Sequence, residues 1–321
     1  MKTRRTVLLI CLVLPLTGLV AGCNLGAQPP VATVLPTATP TPTVPPTSTP
    51  SPTAEVSFGP WDLLRETEVD GPVYVAGFHD DGFGITVGYS GDVRYTTDGG
   101  QLWTSAENKS WCRYGLDIVD EKTAWHCGNG GHVRASTDGG QTWQTVADFG
   151  PNQPDHCRFL SFLDAKTGWA ATPHQIGMTV DGAETWTEVP LPESIQDIAA
   201  ISLRTVTDGH VLDSTGTLFV TRDGGRSWSS HSLGLEEGQG LVASKTPMAV
   251  LRFVDADQGM AVFQDGKRIW YARTTDGGQT WQIEEIPVSV ERPALYLAHD
   301  GKTLTLFFDR SKIIVLRYND A

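Results

Sequence analysis

Five segments of this chain repeat one short phrase: a hydroxyl residue, any residue, Asp, Gly, Gly or Ala, two variable residues and Trp. They read "TTDGGQLW" (96–103), "STDGGQTW" (136–143), "TVDGAETW" (179–186), "TRDGGRSW" (221–228) and "TTDGGQTW" (274–281). The central acids Asp98, Asp138, Asp181, Asp223 and Asp276 are spaced 40, 43, 42 and 53 residues apart, and each phrase closes on Trp103, Trp143, Trp186, Trp228 or Trp281. Units this short cannot bury a core alone and must stack on their neighbours. Asp and Gly favour a tight hairpin turn, where the carboxylate can accept backbone N–H groups and Gly tolerates positive φ. The Trp then opens the returning strand, and its ring supplies apolar area between neighbouring sheets. The five acids are therefore read as turn formers rather than as catalytic groups or metal ligands.

The rest of the unit agrees. "DIVDEKTAWHCGNGGHVRASTDGGQTW" (117–143) and "FLDAKTGWAATPHQIGMTVDGAETW" (162–186) each hold an apolar strand, an Asp-led turn, a second strand with Trp125 or Trp169, another turn, and a third strand leading into the phrase. Four short strands per 40–45 residues is the spacing of a propeller blade. After Trp281, "ALYLAHDGKTLTLFFDRSKIIVLRY" (294–318) supplies three more strands and no closing phrase. The missing strand is expected at the other end of the domain, in "GPWDLLRE" (59–66), where Trp61 lies 42 residues before Trp103. Residues 58–321 are thus expected to form an all-β propeller of four-stranded antiparallel blades, six in number with seven as the alternative, closed by an N-terminal strand.

Residues 1–23 and 24–57 read differently. "MKTRR" followed by "VLLICLVLPLTGLV" has the charged and apolar regions of a signal peptide, and Ala21 and Gly22 precede Cys23 as in the lipobox of bacterial lipoproteins. Cys23 is accordingly expected to carry a lipid and to anchor the chain to a bacterial cell membrane or outer membrane, outside the cytoplasm. Residues 24–57 hold nine prolines among Thr, Ser, Ala and Val with Glu55 as the sole charge, a composition that cannot bury a core and favours an extended tether. Loss of Lys2, Arg4 and Arg5 with the leader makes a formal charge of −13 three units more negative. So acidic a chain is a poor nucleic-acid ligand, because that binding relies on Lys and Arg neutralising phosphates.

The repeat resembles the Asp-box, or BNR, repeat of bacterial propeller proteins, and "DAKTGWA" followed by "TVDGAETW" is similar to the propeller of the photosystem II assembly and stability factor. The resemblance implies a non-catalytic binding or assembly module for a protein or glycan, with the phrases on the periphery away from the ligand. Sialidases share such propellers more distantly, which makes a glycoside hydrolase the alternative. Their chemistry uses an arginine clamp with a Tyr/Glu pair and an acid. The chain has no "RIP"-type segment for the first arginine, the nearest text being "ERPALY" (291–296), so no catalytic residue is assigned.

Several residues outside the repeat are candidates for function. "WCRYGL" (111–116) and "HCRFLS" (156–161) open the innermost strands of adjacent blades, which raises a Cys112–Cys157 disulfide across blades. Arg113 and Arg158 follow those cysteines and Arg292 lies near the matching start in the last blade, so the three could converge on the channel mouth and bind a carboxylate, phosphate or acidic peptide. The long interval before Asp276 falls in "SLGLEEGQGLVASKTP" (232–247), placing Glu236, Glu237 and Lys245 beside that mouth. "HCGNGGH" (126–132) gathers His126, Cys127 and His132 but has no fourth ligand at a zinc spacing, and "DADQG" (255–259) lacks the glutamate of a calcium loop. No metal and no cofactor are assigned.

Overall fold

A computed structural model describes residues 57–80, 82–88, 91–109, 114–149, 156–235, 241, 249–290 and 293–320. The described strands form six four-stranded antiparallel sheets. The chain opens with β1 (Trp61–Glu68), and blade one follows as β2 (Val73–Phe78), β3 (Gly84–Gly88), β4 (Val93–Thr96) and β5 (Thr104–Ser105). Blade two comprises β6 (Gly115–Ile118), β7 (Ala124–Cys127), β8 (Val133–Ser136) and β9 (Gln144–Thr145). Blade three comprises β10 (Phe159–Phe162), β11 (Gly168–Ala171), β12 (Ile176–Thr179) and β13 (Thr187–Val189). Blade four runs through β14 (Ile198–Leu203), β15 (Gly209–Asp213), β16 (Thr217–Thr221) and β17 (Ser229–Ser232). Blade five is β18 (Ala249–Phe253), β19 (Gly259–Asp265), β20 (Arg268–Thr274) and β21 (Gln282–Ser289), and the last strands are β22 (Ala294–Leu297), β23 (Thr303–Phe308) and β24 (Lys312–Tyr318).

Blade six is built from both ends of the domain, in the order β1-β24-β23-β22, with Trp61 opposite Tyr318 and Glu68 opposite Lys312. The protein is therefore a six-bladed β-propeller, closed by its N-terminal strand. Closure matters because an unclosed ring would leave a long free sheet edge.

Burial falls from the centre outward. Inner strands such as β6 and β10 are wholly buried, whereas β5, β9 and most of β17 are exposed. The core is accordingly divided among the blade junctions. One cluster joins Ile85 and Val87 of blade one to Ile118 and Trp143 of blade two; another joins Trp125 and Val133 to Phe162 and Trp186. Trp228 sits between blades three and four, Trp281 between four and five, and Trp103 between six and one. Trp61 fills the junction of blades five and six, edge-on to Tyr271 and Tyr318 at 5.5 and 5.3 Å. One Trp just before each outer strand thus serves five of the junctions, and Trp61, the first residue of β1, takes that part where the repeated phrase is missing.

The turns that carry the repeat share one bonding scheme. In the second, Ser136 Oγ donates to Asp138 Oδ1 at 2.8 Å and accepts from Gly140 N at 2.9 Å, while Asp138 accepts from Thr142 N and Thr142 Oγ at 3.0 and 2.5 Å. Equivalent bonds surround Asp181, Asp223 and Asp276. Bonds from the hydroxyl and backbone N–H of Thr185, Ser227 and Thr280 pull these three carboxyls down to about 2. The first turn has Leu102 at the hydroxyl position, so Asp98 receives only the backbone bond there, at 3.0 Å. Each turn is tied to the first hairpin of its own blade, as where Gly139 N donates to Lys122 O at 3.0 Å.

The second glycine of the phrase takes positive φ against the preceding blade. A Cβ on Gly100, at φ 85, would lie 2.9 Å from Thr67 of β1. Ala183 fills that position in the third turn at φ 63, fully buried, and carries the cost of a left-handed non-glycine residue.

Candidate binding site at the channel mouth

Antiparallel order puts the starts of the six inner strands around one end of the central channel and the repeated turns at the other. The mouth leads into a cleft with about 600 Å³ of space, partly open to solvent, and every blade contributes to its wall. Tyr74, Tyr114 and Arg158 stand near the rim; Val250, Leu116 and Leu295 make the wall apolar; Arg252 and Tyr296 lie deepest. Tyr114 stacks on His156, with ring centres 5.8 Å apart, and His156 Nδ1 accepts from Gly130 N at 3.1 Å.

The floor comes from one column of residues, the penultimate position of each inner strand: Gly77, Asp117, Ser161, Ser202, Arg252 and Tyr296. Three of these side chains bind the next blade's last inner-strand amide. Asp117 Oδ2 accepts from Phe162 N at 2.5 Å, Ser161 Oγ from Leu203 N at 2.9 Å and Ser202 Oγ from Phe253 N at 3.0 Å. Gly77 has no side chain to offer. The ring of Tyr296 lies where a Cβ of Gly77 would be, 2.7 Å away, and its hydroxyl accepts from Ile118 N at 3.1 Å. Arg252 reaches across the channel instead, from blade five to the opposite blade two, and donates to Asp117 Oδ1 at 3.0 Å.

His299 bonds the same Asp117 oxygen at 2.9 Å. Burial alone would raise the Asp117 carboxyl, but the charges of His299 and Arg252 and their hydrogen bonds outweigh it and hold the group below its ordinary value. The channel is thereby closed from beneath, and the mouth opens into a blind cup. No motif in the sequence announces this floor, because its six positions hold five residue types. Aligning the blades on their turns would expose the column.

The candidate residues fare unevenly. Arg158 stands at the mouth as expected, with its Nε buried and without a partner, and it makes no ion pair or side-chain hydrogen bond among the described residues. Arg113, Arg292, Glu236, Glu237, Lys245 and Cys112 lie outside the described residues, as does Cys23.

The expected Cys112–Cys157 bridge is corrected. Cys157 is bonded to Cys127, with Cα atoms 5.7 Å apart. Cys127 ends β7, which packs on the inner strand of blade three, and the missing side chain at Gly115 leaves room, since a Cβ there would lie 2.8 Å from Cys127 Sγ. Sequence reasoning compared like positions on adjacent blades and so overlooked a second strand facing the next blade's first. This bridge also removes Cys127 from any cluster with His126 and His132. His126 is fully buried beside Trp143, whereas His132 is exposed and bonded to Asp148 Oδ1 at 2.6 Å. "DADQG" is a turn in which Asp255 Oδ1 accepts from Asp257 N and Gln258 N at 2.8 and 2.6 Å, the arrangement that Asp120 and Asp164 repeat in other blades.

A Tyr/Glu pair that the sequence did not reveal joins Tyr271 Oη to Glu284 Oε2 at 2.6 Å. It lies on β20 and β21, in the outer half of blade five, and does not line the cup. Burial and then Glu284 push the Tyr271 hydroxyl upward, the wrong direction for a nucleophile.

No family model matches the chain, and no curated protein does. Solved structures it resembles include YCF48 bound to D1 peptide, at 17% identity and TM-score 0.52 over 83% of this chain and 99% of that one. They also include a catalytically inactive virginiamycin B lyase from Staphylococcus aureus with quinupristin, at 16% identity and TM-score 0.52 over 78% and 82%. U3-55K follows at 11% identity and TM-score 0.55 over 80% and 98%. Likenesses this distant in sequence show the propeller fold.

Proposed function

We propose that this chain is a lipid-anchored, extracytoplasmic binding module whose channel mouth takes a protein partner. The observation that carries the reading is the cup itself, which is blind, apolar-walled and rimmed by tyrosines and by Arg158, for which no described residue is an ion-pair or side-chain hydrogen-bond partner. Such a site offers contact area and a cation, and no assembled acid–base or nucleophile–base set among the described residues lines it. The five Asp-Gly turns we assign to the Asp-box repeat, as devices that hold blades together. YCF48, a neighbour in fold, is bound to a peptide in its structure, which supports the same use here. Cys23 would carry the anchor and residues 24–57 the tether.

The test is crosslinked capture from native membranes with the full-length chain. A reproducible protein partner recovered by the wild type and lost with Arg158→Glu supports the reading, and equal recovery by both overturns it. Cys23→Ser should move the protein from the membrane to the soluble fraction; membrane retention would refute the anchor.

A further inference from the structure

We infer that the cup receives the C-terminal residue of a partner polypeptide, with its terminal carboxylate on Arg158 and an apolar side chain inside the cup. This inference rests on the binding reading above and names the chemistry of that site.

Three observations lead to it. First, the acceptors of the floor are engaged, since Asp117, Ser161 and Ser202 each accept from a backbone amide and Asp117 also bonds Arg252 and His299. What remains are donors. Arg252, whose side chain is 8% exposed, keeps a buried Nε without a partner, and so does Arg158 at the rim. A carboxylate brings only acceptors and so matches such donors without adding any of its own.

Second, charge is distributed unevenly with depth. Arg252 is neutralised by Asp117, but Arg158 is not neutralised by any described residue. Anionic charge therefore belongs at the rim, and the space beneath suits an apolar group, walled by Leu116, Val250 and Leu295. Arg158 stands three residues before Ser161, which places the rim roughly 10 Å above the floor, about the reach of one side chain.

Third, among the described residues the cup has one opening. A continuous chain would have to enter and leave through the same mouth, while a chain end needs only to enter. A guanidinium also suits a carboxylate, because its planar fork donates two parallel bonds.

The experiment uses fluorescein-labelled pentapeptides Gly-Ser-Gly-Ser-X, with X as Leu, Met, Phe or Ser, titrated with the full-length protein by fluorescence polarisation. Each is prepared with a free C-terminus and as the C-terminal amide, and a third set carries Glu before X in the amide form. Free-acid peptides ending in Leu, Met or Phe should bind at least tenfold more tightly than their amides and than the Ser peptide. Arg158→Ala should erase the difference between acid and amide. Arg158 makes no ion pair or side-chain hydrogen bond among the described residues, so that variant should keep its fold, checked by circular dichroism. Val250→Phe, on the wall of the cup, should weaken the apolar preference while sparing the rim.

Equal binding of acid and amide, an unchanged Arg158→Ala variant, or equal binding by the internal Glu set would each overturn the inference. So would silence of the whole panel. If membrane capture still recovers a partner through Arg158, the binding reading survives and the C-terminal ligand alone falls.

Discussion

The two faces of the disc are built by opposite rules. On the turn face one arrangement recurs, with Asp138, Asp181, Asp223 and Asp276 in the same bonds to their neighbours and each turn tied to the first hairpin of its blade. At the mouth and floor the positions are matched by topology but filled by Gly, Asp, Ser, Ser, Arg and Tyr, and Arg158, which no described residue neutralises, stands at that mouth. Repetition marks what every blade needs in order to pack. Departure from it marks what the whole ring does once.

That contrast can be broken at several points. The largest loss of stability is expected from Asp117→Ala, which strands the buried Arg252 and an amide of blade three; removing one partner of a buried ion pair costs about 3–5 kcal/mol. Chemical denaturation should show this, and Asp117→Ala combined with Arg252→Met should recover part of it. Next comes the bridge. Cys127→Ser opens a link between residues 30 apart, for which chain entropy predicts a loss of about 3–4 kcal/mol. A reductant should destabilise the wild type by a similar amount and leave the variant unchanged.

Acid should weaken the core through two histidines. Burial holds His126 and His210 down to about 3 from an ordinary value of 6.5. Between those values the unfolded state binds the more protons, so stability is full above pH 6.5 and is lost as pH falls towards 3. Each group adds a slope of up to about 1.4 kcal/mol per pH unit. His126→Leu should flatten that dependence, and an unchanged slope would contradict its burial as a neutral ring. The smallest effects belong to the turns. Gly100→Ala should cost about 1–2 kcal/mol for its positive φ, with the contact to Thr67 adding to it. Ala183→Gly should gain up to about 1 kcal/mol, the cost of the left-handed alanine that it relieves.

How much of this was legible in the sequence follows the same division. The repeated Asp-Gly-Gly and Trp letters disclosed the blades, and Trp61, one blade length before Trp103, disclosed the closure that β1 and β24 perform. These features were readable because each blade solves the same packing problem with the same residues. The floor was not readable, because hydrogen-bonding an inner-strand amide can be done by a Ser, an Asp, or a Tyr reaching over Gly77. Nor was the Cys127–Cys157 pairing, which depends on a second strand meeting the next blade's first at a site that Gly115 leaves open. Arg158 was found from its place before an inner strand, but only the structure showed that no described residue neutralises it.

The central claim is that the turn face holds the ring together while the mouth does the binding, and paired variants test it in one capture experiment. Asp276→Ala should lower the melting temperature and leave partner recovery from native membranes at the wild-type level, whereas Arg158→Glu should keep the melting temperature and abolish recovery. Loss of the partner with Asp276→Ala at a temperature where that variant is folded, together with full recovery by Arg158→Glu, would contradict the account.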